Sequence, residues 1–162
     1  MREFKLFALA MLMVAVAAMT PALAAPASQQ DEQAVRQANE AFYKALNTMF
    51  KGDIRPMQAV WSQADDVTYM GPDGKYLVGW KDVFADWQTQ ASKKLGGSVR
   101  PEKINTKIGQ DLATVECVEV GENIVNGKST KVSIRATNVF RKENGQWKMI
   151  GHHTDTLPFL LQ

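Results

Sequence analysis

The stretch RATNVFRKENGQWKMIGHHTD, residues 135–155, contains two alternating runs on either side of one Asn-Gly pair. Alternation with a period of two is typical of β-strands, in which successive side chains point to opposite faces. Asn144-Gly145 is a favoured pair for a tight hairpin turn, because both central residues need positive φ. The stretch therefore predicts an antiparallel hairpin built from residues 129–141 and 146–154.

The same period of two continues upstream of this hairpin. Residues 99–108 and 112–120 alternate in the same way, and turn residues at 109–111 and at Asn126-Gly127 separate the runs. Four consecutive strands joined by short turns are typical of an antiparallel meander.

The N-terminal half shows helical spacing instead. Apolar residues recur every three or four positions over residues 31–52, and shorter patterns predict helices over 53–61 and 80–95. A short strand over 67–70 runs into the turn sequence Gly-Pro-Asp-Gly at 71–74. Helices followed by a long antiparallel sheet predict an α+β fold. We expect a curved antiparallel sheet wrapped around the N-terminal helices, forming a cone whose open end is a pocket.

Residues 1–24 have the pattern of a cleavable export signal. A basic start precedes an uncharged apolar run over residues 6–19, which is too short to span a bilayer of roughly 30 Å. Ala22-Leu23-Ala24 supplies small residues for a signal peptidase. We expect cleavage after Ala24, in preference to an uncleaved membrane anchor.

Cleavage leaves a short tether, residues 25–30, and one domain, residues 31–162. The removed segment carries two basic residues and one acidic residue, so the formal charge of +2 falls to about +1. A nearly neutral chain lacks the basic surface that binding to nucleic acid requires, so no nucleic-acid partner is expected. We expect a periplasmic or secreted protein with no membrane contact after cleavage.

Several sequence elements resemble those of a known superfamily. Residues 135–155 contain Thr-x-Val-Phe, Asn-Gly-x-Trp and His-x-Thr elements, and residues 61–72 and Gly79-Trp80 fit the same pattern. The chain resembles SnoaL-like proteins of the nuclear transport factor 2-like superfamily over roughly residues 31–157. The resemblance implies the cone fold and a homodimer formed through the outer face of the sheet, which carries Arg135, Thr137 and Val139. It does not fix an activity, because the superfamily includes isomerases, dehydratases, cyclases, hydrolases and non-catalytic domains.

The isomerases of this superfamily use a carboxylate just before a proline on the early strand. Here Gly71 precedes Pro72, so the isomerase base is missing. Tyr43, on the first helix, lies near the position of the isomerase tyrosine. This departure from the isomerase pattern argues against isomerase activity.

Strand alternation predicts which polar residues face the interior. Asn138 shares the more apolar face of its strand, and we assign that face to the interior. On the last strand His153 shares a face with Trp147 and Met149, so His153 is predicted inside and His152 outside. A histidine in the pocket is a candidate acid or base, because imidazole titrates near neutral pH.

The two faces of residues 112–120 are nearly equal in character. We prefer the face with Glu119 inside, because the association domain of calcium/calmodulin-dependent kinases, a similar fold, places a polar ligand residue there. Tyr69, Trp61 and Trp80 are further candidate ligand contacts, as amphipathic rings at a pocket mouth.

Metal and cofactor sites are not expected. His152 and His153 are adjacent on a strand and face opposite sides, and the only cysteine, Cys117, is predicted to be a buried small hydrophobe. The apolar tail, residues 157–161, is predicted to cover either the pocket mouth or a dimer interface.

These patterns leave three hypotheses. The first is a binding module for a small, partly apolar molecule held by Asn138, His153, Glu119 and Tyr69. The second is a cofactor-independent isomerase, dehydratase or cyclase with His153 as acid or base. The third is a structural or assembly role for the dimer.

Overall fold

The computed structural model describes residues 28–161, so the predicted export signal and its cleavage site lie outside the described residues. Three helices and six strands follow one another in this range. In chain order they are α1 (Gln29–Met49), α2 (Arg55–Val60), β1 (Thr68–Met70), β2 (Tyr76–Val78), α3 (Trp80–Lys93), β3 (Ser98–Ile108), β4 (Leu112–Val125), β5 (Lys128–Glu143) and β6 (Gln146–Thr154).

The first helix, α1, has 21 residues, and local contacts satisfy backbone groups at both of its ends. The Ser28 hydroxyl accepts a hydrogen bond from the Asp31 backbone N–H at 3.1 Å, which satisfies one free donor of the first turn. Gly52 ends the helical segment with φ of 97° and donates to the Met49 carbonyl. The buried stripe between these ends faces the sheet and includes Phe42 and other large apolar side chains.

The six strands form one sheet in the order β2-β1-β6-β5-β4-β3. The sheet is curved and unclosed, and it wraps around the N-terminal helices, which confirms the predicted α+β cone. Strands β3 to β6 form the predicted antiparallel meander. Two features were not predicted: β1 pairs with β6 in parallel, and β2 adds an edge strand of three residues.

One irregularity in β6 changes which side chains face the helices. Val139 of β5 pairs with Gly151, whereas the next residue, Phe140, pairs with Met149. Ile150 is therefore an extra residue, a β-bulge, and alternation along the strand is inverted beyond it. Met149 and His152 are consequently both buried on the inner face, the face that packs on α1 and α3.

The core lies between this inner face and the helices. Its largest fully buried side chains are Trp61, Trp87, Tyr69, Phe42, Phe140, Met49, Met57 and Met149. None of the helices within residues 28–161 combines the length and apolarity that a membrane crossing needs. Cys117 is buried in this core as a free cysteine, as predicted.

Candidate functional site

A narrow cavity lies between α1, α3, the inner face of the sheet and the C-terminal tail. Its volume is about 40 Å³. The lining is mostly apolar, with polar groups confined to a few positions. The lining residues are Leu46, Phe50, Tyr69, Pro72, Trp87, Gln90, Leu95, Val99, Glu119, Asn123, Val132, Ile134, His152, Leu157 and Leu160.

The C-terminal tail forms part of the wall of this cavity. Leu157 and Leu160 line it, and the Leu157 backbone N–H donates to the Pro72 carbonyl at 2.8 Å. Of the two predicted positions for the tail, this contact corresponds to the one over the pocket mouth.

Five buried polar side chains form one hydrogen-bonded cluster beside the cavity. The Asn138 amide nitrogen donates to Asn39 Oδ1 at 2.8 Å and to the Tyr43 hydroxyl at 3.3 Å. The Tyr43 hydroxyl donates in turn to Glu119 Oε1 at 3.0 Å. Asn138 Oδ1 lies 2.6 Å from His152 Nδ1. We call these five residues the polar cluster; it connects α1 to strands β4, β5 and β6.

The cluster determines which nitrogen of His152 carries the proton. The Asn138 carboxamide oxygen can only accept, so His152 Nδ1 is the donor of their hydrogen bond. A neutral imidazole has one donor and one acceptor nitrogen, and Nε2 is therefore left with a lone pair. This lone pair lies 3.8 Å from Glu119 Oε1.

Burial leaves the two titratable groups of this pair uncharged. Burial raises the pKa of Glu119 from 4.5 to about 7, against the lowering effect of the Tyr43 hydrogen bond. Burial, with a smaller contribution from the charge of His153, lowers the pKa of His152 from 6.5 to about 3. Around pH 6 the pair is a carboxylic acid beside a neutral imidazole. It is not an ion pair, because the desolvation of two charges is not offset by other partners.

Three of the predicted site residues lie at the site. Glu119 and Tyr69 line the cavity, and Asn138 is fully buried and reaches the cavity through His152. The face of β4 that was preferred for Glu119 is the buried one. The side chain of Tyr69 stacks on His152, with ring centroids 5.9 Å apart.

The predicted position of His153 is wrong. The Ile150 bulge inverts alternation, so His153 is exposed on the outer face, beside Arg135 and Asp155, and His152 occupies the interior position. The sequence contained a hint of this, because Gly151 inside a strand is typical of a bulge.

The two tryptophans do not line the cavity as predicted. Trp61 is buried between Trp87 and Trp80, at ring-centroid distances of 6.1 Å and 6.5 Å, and Trp80 is half-buried behind it. Trp87 is the tryptophan that lines the cavity, and its indole N–H has no hydrogen-bond partner among residues 28–161. No group of three or more potential ligand side chains within residues 28–161 is arranged to hold a metal ion.

The chain belongs to the SnoaL-like domain family, whose sequence model matches residues 35–156. Its fold is similar to a candidate dehydratase of the NTF2-like family from Streptomyces avermitilis, with a TM-score of 0.69 and 24% identity, covering 80% of this chain and 97% of that one. A candidate association domain of calcium/calmodulin-dependent protein kinase type II from Thiobacillus denitrificans has a TM-score of 0.65 and 26% identity, covering 75% of this chain and 94% of that one.

A curated relative is the F-box protein SKIP8 of Arabidopsis thaliana, which is 27% identical over 118 residues, or 70% of this chain. The chain spans about half the length of this relative, namely 48%.

The uncharged state of Glu119 predicts a characteristic pH dependence. A carboxyl whose pKa rises from 4.5 unfolded to about 7 folded contributes stability that is fully present below pH 4.5 and lost as the pH rises to about 7. The difference in unfolding free energy between the wild type and Glu119→Gln should therefore fall by about 3 kcal/mol over this range. Urea unfolding at several pH values measures it.

Glu122→Gln, at an exposed position of the same strand, is the matched control. If the unfolding free energy of the wild type minus that of Glu119→Gln rises with pH, Glu119 is instead a stabilised carboxylate in the folded protein, and the prediction is contradicted.

Proposed function

We propose that the cavity binds a small, uncharged, partly apolar molecule. The observation that carries this proposal is the character of the lining: among the described residues that form it, the only titratable side chains are Tyr69, Glu119 and His152. Burial favours the uncharged form of all three. It raises the pKa of the Glu119 carboxyl, lowers the pKa of the His152 imidazole, and raises the pKa of the Tyr69 phenol far above its usual range. A charged ligand would lose its hydration without meeting an opposite charge, which is costly.

The polar groups offer a neutral ligand both kinds of hydrogen bond. Protonated Glu119 is a donor, and His152 Nε2 is an acceptor whose orientation Asn138 fixes. Pockets with an apolar wall and a few fixed polar groups are typical of small-molecule sites. The reachable volume of about 40 Å³ corresponds to roughly three waters, so a ligand must be small or must displace the tail.

Matched probes test this proposal. We expect cyclopentanone to bind with a dissociation constant in the millimolar range, as ligands of about six heavy atoms do, and cyclopentanecarboxylate and cyclopentylammonium to bind much more weakly. Binding is followed at about pH 6 from the indole N–H signals in nitrogen-15 NMR spectra, below the raised pKa of Glu119.

The Trp87 signal should shift, because Trp87 lines the cavity, and the Trp147 signal is the internal control, since its N–H is bonded to Asp31 at 3.2 Å. Equal binding of the three probes, or binding of none, would contradict the proposal.

An enzyme that acts by acid–base chemistry is the second candidate. Glu119 favours it, because a general acid or base is most effective when its pKa lies near the operating pH, and burial raises this pKa to about 7. His152 is a weak base by comparison, because burial lowers its pKa to about 3. The structural similarity to a candidate dehydratase also favours an enzyme, and this support rests on the fold alone.

Deuterium exchange tests the second candidate without knowledge of the substrate. If Glu119 transfers protons, the protein should accelerate exchange of the hydrogens next to the carbonyl of cyclopentanone in heavy water. We expect this acceleration to be at least about tenfold smaller in Glu119→Gln and unchanged in Glu122→Gln. If the wild type binds the ketone but does not accelerate the exchange of its hydrogens, the proposed binding function stands and the catalytic one is contradicted.

We further propose that the chain is exported after removal of residues 1–24 and that its outer sheet face pairs with a second copy. The export proposal rests on the sequence pattern alone. The pairing proposal is supported by the outer face itself, where Arg135 is neutralised by Asp155 at 2.8 Å and Val139 is only half-buried. A similar solved structure is a candidate association domain.

Native mass spectrometry of the protein secreted by a bacterial host tests both proposals. We expect a dimer of chains that begin at Ala25. Val139→Asp should give monomers, because it places a charge in the interface, while Lys131→Asp at an exposed position of the same strand should not. A wild-type monomer contradicts pairing, and a chain that retains residues 1–24 contradicts cleavage.

A further inference from the structure

Tyr69 occupies space that any side chain at residue 71 would need. A Cβ atom built on Gly71 would lie 2.1 Å from the Tyr69 hydroxyl oxygen and 2.3 Å from the ring carbon that carries it. The Tyr69 ring has little freedom to move away, because it packs on Trp87 at 4.5 Å and stacks on His152. The phenol is thus held against bare backbone at the cavity wall, and its side chain is 1% exposed.

A chain of polar contacts fixes the direction of the hydrogen bond at this phenol. The Gln90 amide nitrogen donates to the Tyr69 hydroxyl at 3.0 Å and to Asp86 Oδ2 at 2.6 Å. The other oxygen of Asp86 pairs with Lys75 Nζ at 2.5 Å, and Lys75 also lies 3.0 Å from Asp73. Asp86 is 8% exposed and accepts from both neighbours, so the Gln90 amide nitrogen is directed at the phenol oxygen.

The Tyr69 hydroxyl is therefore an acceptor toward Gln90, and its own hydrogen remains available. Among the hydrogen bonds of residues 28–161, the bond from Gln90 is the only one that this hydroxyl makes. A buried hydroxyl whose hydrogen lacks an acceptor is unfavourable until a partner arrives. The neighbouring Trp87 indole N–H is also a buried donor without a partner. Two unused donors therefore lie at one wall of the cavity.

We propose that the Tyr69 hydroxyl anchors an acceptor oxygen of the ligand, and that the Lys75–Asp86–Gln90 chain positions it for this role. The proposal rests on the proposed binding function and specifies its ligand class: a small neutral molecule with a carbonyl oxygen. Tyr69 contacts the ligand, while Gln90 and Asp86 are positioning residues that act through the phenol.

Two isosteric probes separate hydrogen bonding from packing. Cyclopentanone and methylenecyclopentane have the same shape, and only the ketone has an acceptor. Tyr69→Phe keeps the ring that packs on Trp87 and removes the donor. We expect this substitution to weaken cyclopentanone binding about five- to tenfold and to leave methylenecyclopentane binding unchanged, since one neutral hydrogen bond is lost. Tyr76→Phe, at a tyrosine that is 65% exposed, is the matched control and should change neither.

A spectroscopic signature reports on the hydrogen bond itself. A donor at the carbonyl oxygen lowers the stretching frequency of the bound ketone, so the infrared band should lie lower in the wild type than in Tyr69→Phe. Gln90→Met, which removes the amide and keeps the length of the side chain, should broaden or raise the band. The wild-type band relative to the ketone in cyclohexane shows whether the bound carbonyl has any donor, and the rise of the band in Tyr69→Phe assigns that donor to Tyr69.

The outcomes distinguish failure of the proposed binding function from failure of the inference about Tyr69. If the wild type binds neither probe, the proposed binding function fails and this inference fails with it. If the wild type binds both probes and Tyr69→Phe weakens both equally or neither, only this inference is overturned. An unshifted carbonyl band in the wild type also overturns it.

Discussion

The hydrogen bond between His152 Nδ1 and Asn138 Oδ1, 2.6 Å long, sets the state of the whole polar cluster. It uses the amide oxygen of Asn138, so the amide nitrogen must serve Asn39 and Tyr43 on α1. The Asn138 amide nitrogen, His152 Nδ1 and the Tyr43 hydroxyl then each have a defined acceptor, and the hydroxyl is directed at Glu119. A single bond across two neighbouring strands thus aligns a helix and a third strand.

The pair formed by Glu119 and His152 holds one proton in the folded state over a wide range of pH. In the unfolded chain, between about pH 4.5 and 6.5, the carboxyl is ionised and the imidazole is protonated, so the pair also holds one proton. The raised pKa of Glu119 and the lowered pKa of His152 therefore have opposite effects on stability, and they cancel in this range. The cluster can keep both groups uncharged without making the stability of the wild type depend on pH there.

Most of the cone could be predicted from local patterns. The period of two predicted β3 to β6, and alternation correctly placed Asn138 inside. The face of β4 that carries Glu119 was chosen from the resemblance to kinase association domains, because alternation left its two faces nearly equal. Both placements hold because β4 and β5 pair with each other without a register shift. His153 was placed wrongly because a bulge is a property of pairing between strands, and one extra residue at Ile150 reverses every side chain beyond it. The short strand β2 was missed because three residues carry too little pattern.

The roles of Gln90 and Asp86 could not be predicted for a related reason. Their spacing of four residues on α3 indicates only that they share a helix face. Their importance comes from Tyr69 and Lys75, which reach them from β1 and from the turn that follows it. Such contacts between distant parts of the chain exist only once the sheet has formed around the helices.

The cost of the polar cluster is the strongest reason to connect it with a ligand. Replacing both partners of a buried hydrogen bond by apolar groups of the same shape can be nearly neutral or stabilising, so a cluster of five buried polar residues is poorly explained by stability alone. The C-terminal tail is a second feature that connects this region with a ligand. Leu157 and Leu160 line the cavity, and the buried Leu157 gains roughly 1.5–3 kcal/mol, whereas the half-buried Leu160 gains less. A ligand that leaves the tail in place keeps this gain, so the gain is present both before and after binding. The affinity of such a ligand then comes from the polar groups and the apolar walls that it meets inside the cavity.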